Sequence, residues 1–116
     1  MQERTAEDGG RLLAPVGELD LVSVDVLNAA VERARADGVP SITLDLRELS
    51  FIDSTGLAAI VLASRLCDTN GLELSLIPGS PATQRLFEMT GLLDVLPFRA
   101  SDQLAGAAED EVADDR

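Results

Sequence analysis

The sequence predicts an α/β fold, a single domain with a small mixed, mainly parallel sheet and helices mainly on one face. The 116 residues suffice for one core, and 46% are hydrophobic but only 3% aromatic, which predicts aliphatic packing. Apolar alternation of period two recurs between segments of helical spacing, so strands and helices follow one another along the chain. Strands separated by helices should be parallel, and polar residues on one side of these strands indicate that helices cover mainly the other side.

The N-terminal part is predicted to contain an arm, a strand and a turn. Residues 1–10 are polar and end in two glycines, so they form either an arm or a weak edge strand. Residues 11–16 are mostly apolar and predict a strand, in which Pro15 favours an edge or a strand-end position. Residues 17–20 are predicted to form a turn that carries two carboxylates.

Two helices and a strand are predicted for the middle of the chain. The first helix follows Ser23, a typical N-cap residue, and ends at Gly38. A strand over 41–46 comes next, and the second helix covers 55–67 and is closed by Asn70-Gly71. The positions of this helix that are predicted to face the core are Leu57, Ile60, Val61 and Ser64.

The C-terminal part repeats the alternation. A strand over 72–77 precedes a third helix, which has Ser80 as N-cap, Pro81 at its first position and Gly91 as a left-handed cap. The residues predicted to supply core from this helix are Leu86, Phe87 and Met89. A short strand over 95–98 and a last helix over 101–108 follow. Residues 109–116 are mostly acidic and predict a disordered tail.

Charge and residue inventory exclude several function classes. The net charge is −12 and lysine is absent, which disfavours direct binding to nucleic acid or to an anionic membrane. The absence of histidine removes Ser-His-Asp and Cys-His catalysis and most zinc sites, so we expect no enzyme, no metal and no other cofactor. The single cysteine, Cys67, and the lack of a signal peptide or a membrane-spanning run favour the cytoplasm.

A polar cluster, Asp53-Ser54-Thr55-Gly56, separates a strand from the helix that follows it, and two interpretations stay open. The residues can simply cap the helix, as in most globular proteins. Alternatively they display a functional site, because the connection over 47–53 is longer than a strand-to-helix turn needs. A negative group at this helix N-terminus would be stabilised by the helix dipole.

Catalytic and metal-binding interpretations of the cluster fail on chemistry. Aspartic proteases place glycine directly after the hydroxyl residue, whereas here Thr55 intervenes. Ser54 has neither histidine nor lysine to activate it, so it suits a phosphate acceptor better than a nucleophile. Asp20, Asp45 and Asp53 could gather near one end of the sheet, but their spacing matches no metal-binding loop, and solvated carboxylates are the simpler interpretation.

Four segments together resemble one protein family. They are Gly17-Glu18-Leu19-Asp20, Leu44-Asp45-Leu46, Leu49-Ser50-Phe51-Ile52-Asp53-Ser54-Thr55-Gly56-Leu57 and Arg85-Leu86-Phe87-Glu88-Met89-Thr90-Gly91-Leu92. In this order they resemble the STAS domains, specifically the bacterial anti-sigma factor antagonists. The resemblance implies a single STAS domain over residues 11–108, built as a β–α superhelix.

The resemblance also implies a partner-switching role in transcription regulation, in stress response or sporulation. In this family an anti-sigma factor, which is a Ser/Thr kinase, phosphorylates the hydroxyl residue after the signature aspartate, here Ser54. The unphosphorylated antagonist binds the anti-sigma factor and frees a sigma factor, and a PP2C-type phosphatase resets the phosphorylated form. The positions to which the resemblance assigns partner binding are Asp20, Asp53, Ser54, Thr55, Gly56 and Leu57.

Two other roles of STAS domains remain as alternatives. Some build large signalling assemblies as scaffolds and use the acceptor to tune assembly. Others are subunits of lipid or anion transport systems and act through a transporter partner. Light scattering and the identity of co-purifying proteins distinguish these roles from that of an antagonist.

Overall fold

Six strands and three helices make up the part of the chain that the computed structural model describes, residues 1–99. The strands are β1 (Gln2–Thr5), β2 (Arg11–Ala14), β3 (Gly17–Leu19), β4 (Ser41–Asp45), β5 (Leu49–Ile52) and β6 (Glu73–Ile77). The helices are α1 (Val24–Ala36), α2 (Ser54–Asn70) and α3 (Pro81–Met89).

Four strands form a mixed sheet in the order β1-β2-β4-β6. β1 lies at its edge and runs antiparallel to β2, whereas β2, β4 and β6 are parallel to one another. The other two strands, β3 and β5, pair in parallel as a separate two-stranded sheet. The predicted small, mixed and mainly parallel sheet is therefore confirmed, with the parallel strands connected through helices.

Aliphatic side chains fill the space between the four-stranded sheet and the helices. The side chains buried there from the sheet are Leu13, Ile42, Leu44 and Leu76, and those from α1 and α2 include Leu27, Ala30, Ile60 and Cys67. Phe87 of α3 is fully buried and meets Phe98 edge to face, with ring centroids 5.0 Å apart. The core is thus mainly aliphatic, as the composition predicts.

Two short strands lie where the sequence predicted a turn and a loop. β3 occupies Gly17–Leu19 and β5 lies within the predicted connection 47–53, so both predictions were wrong. Each strand is too short to display a period-two pattern, and within residues 1–99 each pairs only with the other. Pro15 follows the end of β2, which is flanked by β1 and β4, so of the two positions considered it takes the strand end.

Helix α2 is longer than predicted and faces the core with a different stripe. It begins at Ser54 and ends at Asn70, where Gly71 supplies the expected left-handed cap with a φ of 71°. Its buried residues are Gly56, Leu57, Ala59, Ile60, Ala63 and Cys67. Val61 and Ser64 are only half-buried, because the core packs against the small residues one or two positions before them.

The C-terminal predictions were right for the start and the end of α3 and wrong for one core residue. The Ser80 hydroxyl accepts a hydrogen bond from the Thr83 backbone N–H at 3.2 Å, and Gly91 has a φ of 76°. Met89 is 71% exposed because it lies in the last turn, beyond the face that buries Phe87. Phe98 makes a single bridge to Leu76 instead of a strand over 95–98. The predicted helix 101–108 and tail 109–116 lie outside the described residues.

Candidate functional site

The polar cluster forms the N-terminus of α2. Asp53 is the N-cap, with an extended backbone, and its Oδ1 accepts a hydrogen bond from the Gly56 N–H at 3.0 Å. Ser54 is the first helical residue and is exposed, whereas Thr55 is half-buried. The cap predicted for this cluster is therefore confirmed and is made by Asp53, and it leaves the Ser54 side chain on the surface.

Gly56 allows α2 to approach β3 very closely. A Cβ at this position would lie 2.4 Å from the Leu19 carbonyl oxygen and 2.8 Å from Cγ1 of Ile52, and real side chains do not tolerate such distances. The Asp53 N–H also donates to the Leu19 carbonyl oxygen at 3.3 Å. The start of α2 is thus fixed against the end of β3.

This contact brings Asp20 to the same end of the small sheet as Asp53. Leu19 of β3 pairs with Ile52 of β5, so the residues that follow, Asp20 and Asp53, leave the two parallel strands side by side. The sequence-predicted residues Asp20, Asp53 and Ser54 are therefore neighbours in the fold. Gly56 and Leu57 are buried, so they hold the start of α2 in place and do not contribute exposed side chains to the cluster.

Asp20 is held by the turn that starts α1. Its Oδ1 accepts hydrogen bonds from the N–H groups of Val22 and Ser23, both at 3.1 Å. Ser23, the predicted N-cap, has helical backbone angles and makes no side-chain cap bond to α1. Its hydroxyl instead donates to the Glu18 carbonyl oxygen at 2.8 Å, so Ser23 fastens the turn to β3.

Exposed apolar side chains lie in the segments that frame the cluster. Leu21 and Val22, which directly follow Asp20, are 73% and 88% exposed, and Phe51 on β5 is 50% exposed. Sequence reasoning recognised Phe51 but missed Leu21 and Val22. Their signal was weak, because Leu21 lies three residues before Val24 and so fits the apolar spacing of the first helix. Only the pairing of two adjacent apolar residues ahead of that helix marked them.

Asp45 lies at the carboxyl end of β4 and forms an ion pair with Arg47. Arg47 donates to it from Nε at 3.0 Å and from Nη2 at 2.9 Å. Burial opposes ionisation of this carboxyl, but hydrogen bonds from the Arg47 side chain and backbone outweigh burial and hold its pKa below the ordinary value. The charges of Arg47 and Arg4 act in the same direction.

The residues that the structure describes contain no group of three or more His, Cys, Asp or Glu side chains arranged to hold a metal ion. Within the same residues, no helix combines the length and the apolar character needed to cross a membrane.

The family model of the STAS domain matches residues 3–105 of the chain. The chain belongs to the STAS domain family. This STAS domain is 35% identical over 94 residues to the anti-sigma-B factor antagonist of Staphylococcus aureus (strain NCTC 8325 / PS 47), covering 81% of this chain and 87% of that protein. The predicted family, that of the anti-sigma factor antagonists, is thereby confirmed.

Solved structures confirm the STAS fold. An anti-sigma factor antagonist from Mycobacterium paratuberculosis superposes with a TM-score of 0.72 at 25% identity, covering 91% of this chain and 90% of that one. The anti-sigma factor antagonist SpoIIAA in its unphosphorylated form gives a TM-score of 0.72 at 21% identity, covering 94% and 96%. The phosphorylated form of Bacillus SpoIIAA gives a TM-score of 0.67 at 22% identity, covering 92% of this chain and 97% of that one.

Proposed function

We propose that this STAS domain is an anti-sigma factor antagonist whose binding to a Ser/Thr kinase is switched off by phosphorylation of Ser54. The observation that carries the proposal is the exposed Ser54 at the first position of α2, beside two carboxylates, in a relative of anti-sigma-B factor antagonists. In this proposal the protein acts by binding, in the cytoplasm, and a PP2C-type phosphatase restores the binding-competent form.

The position of Ser54 suits a phosphate acceptor. Its side chain is accessible to another enzyme's active site, while the cap that defines the helix start is made by its neighbour Asp53. A phosphoryl group at a helix N-terminus meets the positive end of the dipole and free backbone N–H groups, so the folded state accepts it. The kinase supplies ATP, metal and catalytic base, because this chain has no histidine or lysine to do so.

Phosphorylation would change the binding surface without a conformational change. The phosphoryl group adds about −1.5 to −2 charge at pH 7, next to Asp53 and in the neighbourhood of Asp20. The exposed Leu21, Val22 and Phe51 offer an apolar contact for the kinase around this point, and a charged group there would have to be desolvated on docking. A loss of about 1.4 kcal/mol already weakens binding tenfold.

The test uses candidate anti-sigma factor kinases of the same genome, each purified and supplied with Mg-ATP. Peptide mass spectrometry should locate the phosphate on Ser54, and Ser54→Ala should abolish its incorporation. Thr55→Ala is the matched control, because Thr55 is the adjacent hydroxyl and is half-buried, so phosphorylation should persist. Isothermal titration calorimetry should show kinase binding by wild type and Ser54→Ala, and at least a tenfold loss for Ser54→Glu.

Two results of these experiments would overturn the proposal, and a third would favour the transport alternative. One is phosphate incorporation that persists in Ser54→Ala, which would move the acceptor elsewhere. The other is equal kinase affinity for Ser54→Ala and Ser54→Glu, which would remove the switch. If no kinase binds and the protein co-purifies with a transporter, the transport alternative replaces the antagonist.

A further inference from the structure

A shallow groove lies beside the start of α1, and Ser54 is not part of its lining. The groove has a volume of about 90 Å³. The apolar residues that line it are Met1, Pro15, Val16, Leu19 and Val26. Val16 and Val26 are 49% and 52% exposed, so their side chains are accessible to another molecule. We call this feature the valine groove.

Two residues connect the valine groove to the polar cluster at Ser54. Ser23 lines the groove, and its hydroxyl lies 3.1 Å from Oδ1 of Asp20. Leu19 also lines it, and its carbonyl oxygen accepts a hydrogen bond from the Asp53 N–H at 3.3 Å. A stable protein–protein interface covers about 800 Å² on each partner. A protein that covers the cluster therefore reaches the groove as well.

Exposed aliphatic side chains continue from the valine groove towards the cluster. Leu21 and Val22 are 73% and 88% exposed in the turn between Asp20 and α1, and Val26 follows four residues after Val22. Single exposed apolar residues are ordinary on a protein surface, whereas a group of them beside a concavity is typical of an interaction site. This surface favours a partner that contributes apolar side chains.

The size of the valine groove indicates what it can hold. Pockets for small-molecule ligands usually have volumes of about 300–1,000 Å³, which is well above the 90 Å³ found here. A cavity of about 150 Å³ holds benzene, so a groove of this smaller volume accommodates one aliphatic side chain. The occupant is therefore a side chain of another protein and not a free small molecule.

The surface around the valine groove carries an excess of negative charge. In residues 12–31 and 48–64, which build β3, β5 and the starts of α1 and α2, every charged side chain is a carboxylate. These carboxylates are Glu18, Asp20, Asp25, Glu48 and Asp53. The cations on neighbouring elements are the Met1 amine and the side chains of Arg33, Arg47 and Arg85. Arg33 and Arg47 form ion pairs with carboxylates, so the surface remains net negative and suits a basic partner.

We propose that the valine groove binds one aliphatic side chain from a basic segment of the kinase that phosphorylates Ser54. This inference rests on the proposed function and adds to it a docking contact away from the phosphate acceptor. Because the groove does not touch the reacting hydroxyl, it stabilises the bound substrate and the transition state equally. Loss of such a contact raises KM and leaves kcat unchanged.

The test measures steady-state phosphorylation of the full chain by the purified kinase, together with calorimetric affinity. Val16→Thr combined with Val26→Thr keeps both side chains branched and replaces one methyl of each by a hydroxyl. The occupant would have to desolvate these hydroxyls, so KM and Kd should both rise at least tenfold. The kcat for Ser54 phosphorylation should stay within about twofold of wild type.

Val95→Thr is the matched control. Val95 is 72% exposed, and it lies beside Asp68 and Leu72 at the C-terminal end of α2. Asp68 is about 21 Å along the helix from Ser54. The same exchange of a methyl for a hydroxyl at this distant valine should leave KM and Kd unchanged.

Val26→Phe separates a groove that admits a side chain from a surface that is only apolar. The larger ring would occupy the groove and should weaken kinase binding at least tenfold, although it adds apolar area. If the kinase bound to a flat apolar surface, the added area would strengthen binding instead. Stronger or unchanged binding by Val26→Phe would therefore contradict the proposal.

Glu18→Gln tests the basic character of the kinase segment. Glu18 lines the valine groove and is exposed, so loss of its charge should slow association with the kinase at low salt. The difference from wild type should disappear in about 1 M salt, where the Debye length is about 3 Å. Glu73→Gln, at an exposed carboxylate of β6, is the control and should not slow association. An unchanged rate in Glu18→Gln would contradict a basic segment.

The remaining outcomes distinguish this inference from the proposed function. Unchanged KM and Kd in the threonine variant, or an equal rise in Val95→Thr, would overturn the docking contact alone, since Ser54→Glu would still lose kinase binding. A lower kcat with unchanged KM would overturn it too, because the valines would then position Ser54. A wild-type dimer that Val26→Phe dissociates in sedimentation velocity would assign the groove to a second copy. Absence of kinase binding by wild type would overturn both proposals.

Discussion

Asp53 combines two tasks that can be separated by mutation. Its carboxylate caps α2 through the Gly56 N–H, and its charge stands next to Ser54. Asp53→Ala should lower the free energy of unfolding by about 1 kcal/mol, the typical cost of a lost N-cap. Asp53→Asn keeps a capping oxygen, so its free energy of unfolding should fall much less. Urea denaturation of the three proteins measures this difference.

The same pair of variants tests whether the charge of Asp53 matters to the kinase. If the carboxylate contributes only the cap, Asp53→Asn should be phosphorylated as fast as wild type and should bind equally well. A slower reaction in the stable Asp53→Asn protein would assign the charge a role in recognition. Equal destabilisation by Asn and Ala would contradict the capping role.

Gly56 should tolerate no side chain. Gly56→Ala forces a Cβ against the Leu19 carbonyl oxygen and Ile52, so we expect a loss of about 1–3 kcal/mol in unfolding free energy. Gly38→Ala is the matched control, because Gly38 has a φ of 71° and open space around it. Its cost should be about 1 kcal/mol, from the left-handed backbone alone.

NMR distinguishes the two glycine variants by location. Gly56→Ala should shift the amide signals of Asp20 and Leu19, because β3 must move away from α2. Gly38→Ala should shift only its own surroundings at the end of α1. A Gly56→Ala protein with an unshifted Asp20 signal would mean that the close approach does not position the cluster.

At the scale of elements, the small sheet of β3 and β5 positions Asp20 and Asp53 at the site. This sheet is also the part of the fold that was not predicted from the sequence. β3 has three residues and β5 has four, so neither shows a recognisable alternation. Their pairing is a tertiary contact between distant segments, which local pattern does not encode. The predicted turn at residues 17–20 therefore had the right residues and the wrong conformation.

Most helix ends were predicted well because their signals are local, and Ser23, which makes no cap bond to α1, is the exception. Ser80, Gly71 and Gly91 act where the sequence placed them, since capping depends on a residue and its next few neighbours. Which side of a helix faces the core depends on what packs against it. Hence Val61 was predicted as core although it is only half-buried, and the exposed Leu21 and Val22 went unnoticed.

The ion pair of Asp45 and Arg47 joins the end of β4 to the connection that leads to β5. Because the folded-state pKa of Asp45 is lowered, its ionisation stabilises the fold above the unfolded pKa of about 3.9. This stability is lost as the pH falls through the folded-state pKa. Arg47→Gln should therefore cost about 1–2 kcal/mol at neutral pH, and the difference from wild type should shrink below about pH 4.

Denaturation at a series of pH values checks this prediction. Arg85→Gln serves as the control, because Arg85 is exposed and forms no salt bridge within residues 1–99. Its stability should stay within about 0.5 kcal/mol of wild type at every pH. A constant gap between Arg47→Gln and wild type down to pH 3 would show that Asp45 is not the group responsible.

At the scale of the whole molecule, the question is whether phosphorylation of Ser54 alters the fold or only the surface. The helix dipole favours a phosphate at this position, whereas Asp53 and Asp20 repel it, so the two effects on stability should largely cancel. The free energy of unfolding of the phosphorylated protein should lie within about 1 kcal/mol of that of the unmodified form. Its NMR shift changes should be confined to the start of α2 and the ends of β3 and β5, while kinase affinity falls at least tenfold. Shift changes that extend through β1, β2 and β4 would instead mean that the switch works by rearranging the sheet.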